Sequence, residues 1–328
     1  MEVLDLKYTF QQKMHIDALN SQGLSSRQIA EFLGISKSGV NNYLKNKQEI
    51  LAEEAYEVQE EQKRILNGPR IAIFDIETAA ALAYTFGRNK QFISESGIKQ
   101  EGGWIICAGV RFYGEPPEST KMFYNKQDIR EAWDGTVVES LYQVYKESDA
   151  VLAHNAIGFD NVMLQNRSLV HGFGPLPSVK VLDTLKIAKK KLRLPTNKLD
   201  TIGSYFQLGR KLQHSGIGLW KDVQEGSEEA LNIMLDYCEQ DVNLLYDVYD
   251  TMKSLGHPGT NFNAGLYYND GKVHCNVCGG HVEPTGRFCH TQVSTYHELE
   301  CVDCKALQRS RKAINGNSDR NLLTVPIN

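Results

Sequence analysis

The chain predicts an α/β layer fold built on a mixed sheet, with a small all-α domain before it and a small cysteine-rich module after it. Two observations carry the prediction. Between about residues 69 and 256, short apolar runs alternate with amphipathic helical stretches, the pattern of a sheet covered by helices. Five of the seven cysteines fall after residue 270, where they cannot serve a chain-wide disulfide framework. A length of 328 residues accommodates two or three such units.

The first unit is placed at residues 1–47. Ser25 or Ser26 can cap a helix with Ile29, Ala30 and Leu33 inward, and Gly34 permits a sharp turn. Ser36 then caps a second helix carrying Val40, Tyr43 and Leu44. This resembles the helix-turn-helix of DNA-binding regulators and recombinases. The resemblance implies that Lys37, Ser38, Asn41, Asn42 and Lys45 face DNA, being residue types that reach base edges and phosphates. A small helical bundle that contacts protein is the alternative. Residues 48–68 are rich in helix formers and repeat one apolar position every seven residues (Leu44, Leu51, Val58, Ile65). The second position of each heptad is polar, so they read as a helical linker ended by Asn67-Gly68-Pro69.

In the middle domain, 69–256, strands are expected at 70–74, 104–112, 121–124 and 151–153. Helices are expected at 133–148, 160–170, 183–192, 199–206 and 227–254. A polar, turn-rich linker follows at 257–272, the cysteine module at 273–312 and a flexible tail at 313–328.

The net charge of −4 arises in the middle, between two slightly basic ends, so overall charge alone does not indicate a polyanionic partner. A basic run, Lys186, Lys189, Lys190, Lys191, Arg193 and Lys198, interrupts that acidic middle and reads as either a solvated face or a phosphate contact. No apolar run approaches the 18 residues of a membrane span and no signal-peptide order opens the chain, so a cytoplasmic protein is expected.

Three short stretches carry candidate chemistry: Phe74-Asp75-Ile76-Glu77, His154-Asn155-Ala156-Ile157-Gly158-Phe159-Asp160 and Tyr237-Cys238-Glu239-Gln240-Asp241. Asp75 and Glu77 are two apart and share one face of a strand. Tyr237 and Asp241 are four apart and share one face of a helix. Asp160 is placed at a helix start. Four converging carboxylates repel one another unless cations lie between them, and hard divalent ions suit oxygen ligands.

The order Asp-x-Glu, Asn-x-x-x-Phe-Asp, Tyr-x-x-x-Asp resembles the three motifs of the DEDD (DnaQ-like) 3′–5′ exonucleases, tyrosine type, on the ribonuclease H-like fold. Phe74-Asp75-Ile76-Glu77 is similar to the first motif of family B DNA polymerase proofreading domains. The resemblance implies that Asp75, Glu77, Asp160 and Asp241 bind two Mg²⁺ or Mn²⁺ ions and that Tyr237 positions the attacking water. It further implies that Asn155 and Phe159 touch the terminal nucleotide, with His154 either beside them or structural.

Cys275-x-x-Cys278 and Cys301-x-x-Cys304 are two hooks that together complete a closed tetrahedral site for one structural Zn²⁺, a zinc ribbon. Cys289, His281 and His290 are spare donors. The expected function is a metal-dependent 3′–5′ exonuclease releasing 5′-mononucleotides from DNA, with single-stranded 3′ ends preferred. Its expected partners are nucleic acid and, if it proofreads, a DNA polymerase. The alternatives are a 3′–5′ exoribonuclease and a DNA-binding adaptor with an inactive nuclease fold.

Overall fold

The computed structural model describes residues 10–47, 68–87, 92–212 and 215–325, so the linker expected over 48–68 lies outside the described residues except for Gly68. The chain separates into two compact units, Met1–Arg64 and Ile65–Asn328.

In the first unit, α1 (Phe10–Ser21), α2 (Ser26–Leu33) and α3 (37–47) enclose a core of Ile16, Ile29, Ala30, Val40 and Tyr43. Ser25 is the N-cap of α2, and Gln28 Oε1 accepts from its backbone N–H at 3.0 Å. Gly34 ends α2 in the left-handed region at φ 64°, where a Cβ would be strained, and the chain turns at once into α3. Ser36 Oγ accepts from Gly39 N–H at 3.1 Å, capping α3 as its sequence indicates. Sequence periodicity does not reveal α1, because among its described side chains only Ile16 is fully buried and Met14 is exposed.

The second unit is built on a five-stranded sheet in the order β5-β4-β1-β6-β7: β5 (Lys121–Tyr124), β4 (Ile105–Phe112), β1 (Ile71–Thr78), β6 (Ala150–Ala153) and β7 (Lys180–Asp183). β1 pairs antiparallel with β4 and parallel with β6, so the sheet is mixed. Strand alternation sends Ala72, Phe74 and Ile76 to one face, against α5 (Gly135–Glu147) and α6 (Asp160–Val170). Ile71 and Ile73 go to the other, against α7 (Thr184–Lys191), α8 (Leu199–Tyr205) and α10 (Glu228–Met252). That second face continues along β1 to Asp75 and Glu77. Gly109, in register with Asp75 on β4, lets α10 close onto the sheet, since a Cβ there would lie 2.8 Å from Val242 Cγ2.

Five elements of this unit escape a sequence reading: β7, β2 (Leu82–Ala83) and β3 (Ile98–Gln100), which form a hairpin, α4 (Lys126–Arg130) and α9 (Ile217–Gln224). Each is eight residues or fewer, too short to establish a period. Residues 257–272, expected to link two modules, instead put Phe262 and Ala264 into the core beneath α7, α8 and α10. Two side chains small enough in number to leave the stretch polar on average are enough to anchor it.

The cysteine module is a three-stranded antiparallel sheet, β8 (Val282–His290), β9 (Thr295–Cys301) and β10 (Leu307–Arg309), in the order β10-β9-β8. It is followed by the short α11 (Asn317–Arg320). Among the described residues no helix is long and apolar enough to cross a membrane.

Candidate active site

Strand alternation aims Asp75 and Glu77 at α10, and helical spacing places Tyr237 and Asp241 on the face of α10 that meets them. Carboxylate oxygens of Asp75, Glu77 and Asp241 lie within 4.8 Å of one another. Glu77 and Asp241 are buried, and Cys238 Sγ approaches Asp75 O at 3.7 Å beneath them. Asp160, buried at the first turn of α6, lies outside that trio but close enough for its charge to raise the pKa of both Asp75 and Glu77.

Burial and mutual repulsion make this cluster reluctant to ionise. Burial first, then Asp241, pushes Glu77 up to about 8. Burial, with Asp183 nearby, pushes Asp160 up to about 7. Asp75, half-buried beside Glu77, is raised well above the usual range by burial first and then by the charge of Glu77. The donor set is all oxygen and carries more negative charge than the protein neutralises, so it fits hard divalent cations.

Among the described residues the counter-charge to this cluster is Lys211, which sequence reasoning missed. Its Nζ donates to Asp241 Oδ2 and to the Tyr237 hydroxyl, the latter at 3.0 Å. Burial alone would lower its pKa, but Asp241 reverses the effect and holds it above the ordinary lysine value. Lys211 lies in a loop 26 residues before Tyr237, so no spacing rule marks it. Burial keeps the Tyr237 hydroxyl protonated well past its usual range. It therefore acts as a neutral donor and acceptor and does not become a phenolate base.

The loop joining β6 to α6 is fixed by Asp183 at the end of β7. Its carboxylate accepts from the N–H of Asn155 (3.1 Å) and Ile157 (3.3 Å), and also from Leu185 (2.9 Å) and Lys186 (3.3 Å), capping α7. Asn155 sits at φ 79°, and Gly158 gives its side chain room, because a Cβ there would meet Asn155 Oδ1 at 2.6 Å. Phe159, just before Asp160, is 40% exposed. His154 is engaged at both ring nitrogens, Nδ1 with Thr184 Oγ1 (2.8 Å) and Nε2 with the Asn197 carbonyl (2.9 Å). Burial lowers its pKa, so it stays neutral, with Nε2 donating to Asn197. A cleft of about 600 Å³ opens beside the acids, lined by His154, Asn155, Lys189, Lys198, Asp200 and Lys211 among others.

The four hook cysteines also converge, with sulfurs within 4.8 Å of one another. Cys275 and Cys304 are 3.7 Å apart and Cys278 and Cys301 3.6 Å. A tetrahedron with Zn–S of about 2.3 Å has S···S edges of about 3.8 Å, so the set fits zinc. Each hook turns back through a left-handed residue just after its second cysteine, Gly279 (φ 79°) and Lys305 (φ 62°). Val277 N–H and Gly280 N–H point at Cys275 and Cys278 sulfurs, both at 3.4 Å, as thiolates require. Cys289, His281 and His290 are not in the group. In the first unit, Lys37, Ser38, Asn41, Asn42 and Lys45 are all exposed on α3, opposite buried Val40 and Tyr43.

No curated protein matches the sequence. Among solved structures, the chain is similar to the family B DNA polymerase of the hyperthermophilic archaeon Pyrobaculum calidifontis, with a TM-score of 0.41 and 14% identity. That similarity covers 57% of this chain and 25% of the polymerase, so the chain spans about a quarter of that polymerase's length. Residues 93–253 match the family RNase_H_2 of the RNase_H superfamily, a span that holds α6 and α10 and begins after β1. The matched span is thus similar to domains of the RNase_H superfamily, and the mixed five-stranded sheet flanked by helices is consistent with an RNase H-like fold.

Proposed function

We propose that the protein is a metal-dependent 3′–5′ exonuclease of the tyrosine type, acting on single-stranded 3′ ends of DNA. The observation that supports this most is the meeting of Asp75, Glu77 and Asp241 within 4.8 Å, from a strand and a helix far apart in sequence. Two divalent ions held by Asp75, Glu77, Asp160 and Asp241 would supply charge neutralisation and water activation for hydrolysis. The water oxygen forms a new bond to the terminal phosphorus, the bond from phosphorus to the 3′ oxygen breaks, and that oxygen leaves with a proton from solvent. The product is a 5′-mononucleotide.

Tyr237 orients the attacking water through its neutral hydroxyl, and Lys211 holds that hydroxyl and Asp241 in a fixed relation. Asn155 and Phe159, on the loop pinned by Asp183, sit where a terminal nucleotide would rest. The exposed polar face of α3 and a zinc-bound cysteine module serve as additional grips on nucleic acid.

Matched single-stranded DNA and RNA labelled at the 5′ end, incubated with Mg²⁺ or Mn²⁺, test the proposal. Expected is stepwise shortening from the 3′ end, faster on DNA and abolished by Asp160→Ala. Faster shortening of RNA would make the protein an exoribonuclease. Degradation of neither polymer, with no change on Asp160→Ala, would leave a binding adaptor.

A further inference from the structure

We propose that α7 and the turn at Pro258-Gly259 form a phosphate track that leads a single-stranded polynucleotide to the acidic centre. The inference rests on the nuclease reading and adds the route of the substrate. Lys189 and Lys198 line the cleft of about 600 Å³ that also contains Lys211, His154 and Asn155. A second hollow of about 440 Å³ is lined by Lys186, Lys189, Lys190, Pro258 and Gly259. Because Lys189 borders both, the two hollows adjoin at α7, and the lysines that line them follow one helix away from the acids.

The sequence builds this path deliberately in physical terms. On α7, Ile187 and Ala188 are buried in the core, which leaves Lys186, Lys189 and Lys190 together on the outer side at spacings of three and four residues. Lys189, Lys190 and Lys198 are exposed, and among the described residues none of the four lysines on the path is ion-paired. Gly259, at φ 85°, faces the end of Lys186, and a Cβ there would come into contact with Nζ at 3.6 Å. Lys186 and Lys190 are separated by about 6 Å along the helix axis, and one strand's phosphates recur every ~3.4 Å along a duplex axis, so the face spans about two phosphates.

Among the described residues no phenylalanine, tyrosine or tryptophan lines either hollow, and the ring nitrogens of His154 are both engaged within the protein. The track therefore offers charge to a backbone and no stacking platform to bases, so it accepts deoxyribose and ribose strands of any sequence. Its cations also offset the repulsion between a polyanion and an acidic centre in a chain of net charge −4.

The test compares two variants of the full chain, K186Q/K189Q/K190Q on the track and K121Q/K126Q/K221Q elsewhere on the surface. Binding of labelled oligo-dT and oligo-U, measured without Mg²⁺ or Mn²⁺, should weaken about tenfold in the track variant, with the salt slope of log Kd reduced by ~2, and far less in the control. Lysine-to-arginine replacements at the track positions should restore both. With Mg²⁺, the track variant should lose more kcat/KM on a long oligonucleotide than on a dinucleotide. Equal losses in the track and control variants, or equal losses on long and short substrates, would overturn the track. Weakened binding with a reduced slope in a protein that hydrolyses nothing would uphold the track and remove the nuclease reading.

Discussion

Lys211 shows how much of an acidic site is decided by a residue with no motif of its own. Asp75 with Glu77 and Tyr237 with Asp241 are legible in the sequence because each pair shares a face through local spacing. Lys211 reaches Asp241 across 30 residues of chain, through a loop whose path only the fold supplies. Tyr237→Phe, which keeps the ring but removes the hydroxyl, should lower kcat about 10²-fold with little change in KM, read by single-turnover hydrolysis. The raised carboxyls give a second prediction. Glu77 moves from 4.5 to about 8 and Asp160 from 3.8 to about 7, so the folded state holds protons that the unfolded chain would release. Their contribution is favourable below about pH 4 and is lost as pH climbs to about 8. Zinc-loaded protein in resin-treated buffer should therefore show a Tm falling from pH 5 to pH 8 from these groups, and Mg²⁺ should raise it most at the upper end. A Mg²⁺ effect independent of pH would contradict this account.

Among elements, α6 carries Asp160 at its start and is held in place two turns later by Asp134. That buried carboxylate accepts from Arg167 Nε (2.7 Å) and Nη2 (2.6 Å), from His171 Nε2 (2.5 Å) and from Ile105 N–H (2.8 Å). It thereby ties α6 to the beginning of β4. Burial alone would raise the Asp134 pKa, but these donors hold it below the ordinary value. Asp134→Ala should cost about 3–5 kcal/mol in denaturant unfolding, because it strands the guanidinium and imidazole among apolar neighbours. The motifs gave no hint of this clamp, which joins the N-cap residue of α5 to Arg167 within α6 and His171 at the end of α6. Likewise β7 passes unnoticed, as four residues that run straight into α7 without a turn, yet its last residue, Asp183, pins the loop bearing Asn155. The existence of β1, β4, β5 and β6 was readable from apolar runs, whereas the order β5-β4-β1-β6-β7 depends on pairings no local pattern encodes.

For the molecule as a whole, the paired cysteine hooks are a local signal, and the four thiols they carry meet in the structure. One zinc per chain is expected by elemental analysis, and Cys301→Ser should lose it together with the fold of residues 273–312. The seam after residue 256 is another matter. Phe262 packs edge-on to His257 at 5.2 Å and beside Tyr267 at 6.1 Å, and both Phe262 and Ala264 share the core of α7, α8 and α10. Composition recorded the polar residues of this stretch and overlooked the plug they carry. A chain cut after residue 256 would uncork that core, exposing Tyr249, Met252 and Leu245 to water. Such a shortened protein should bind a hydrophobic dye and aggregate on warming, whereas one extended to residue 268 should stay monodisperse.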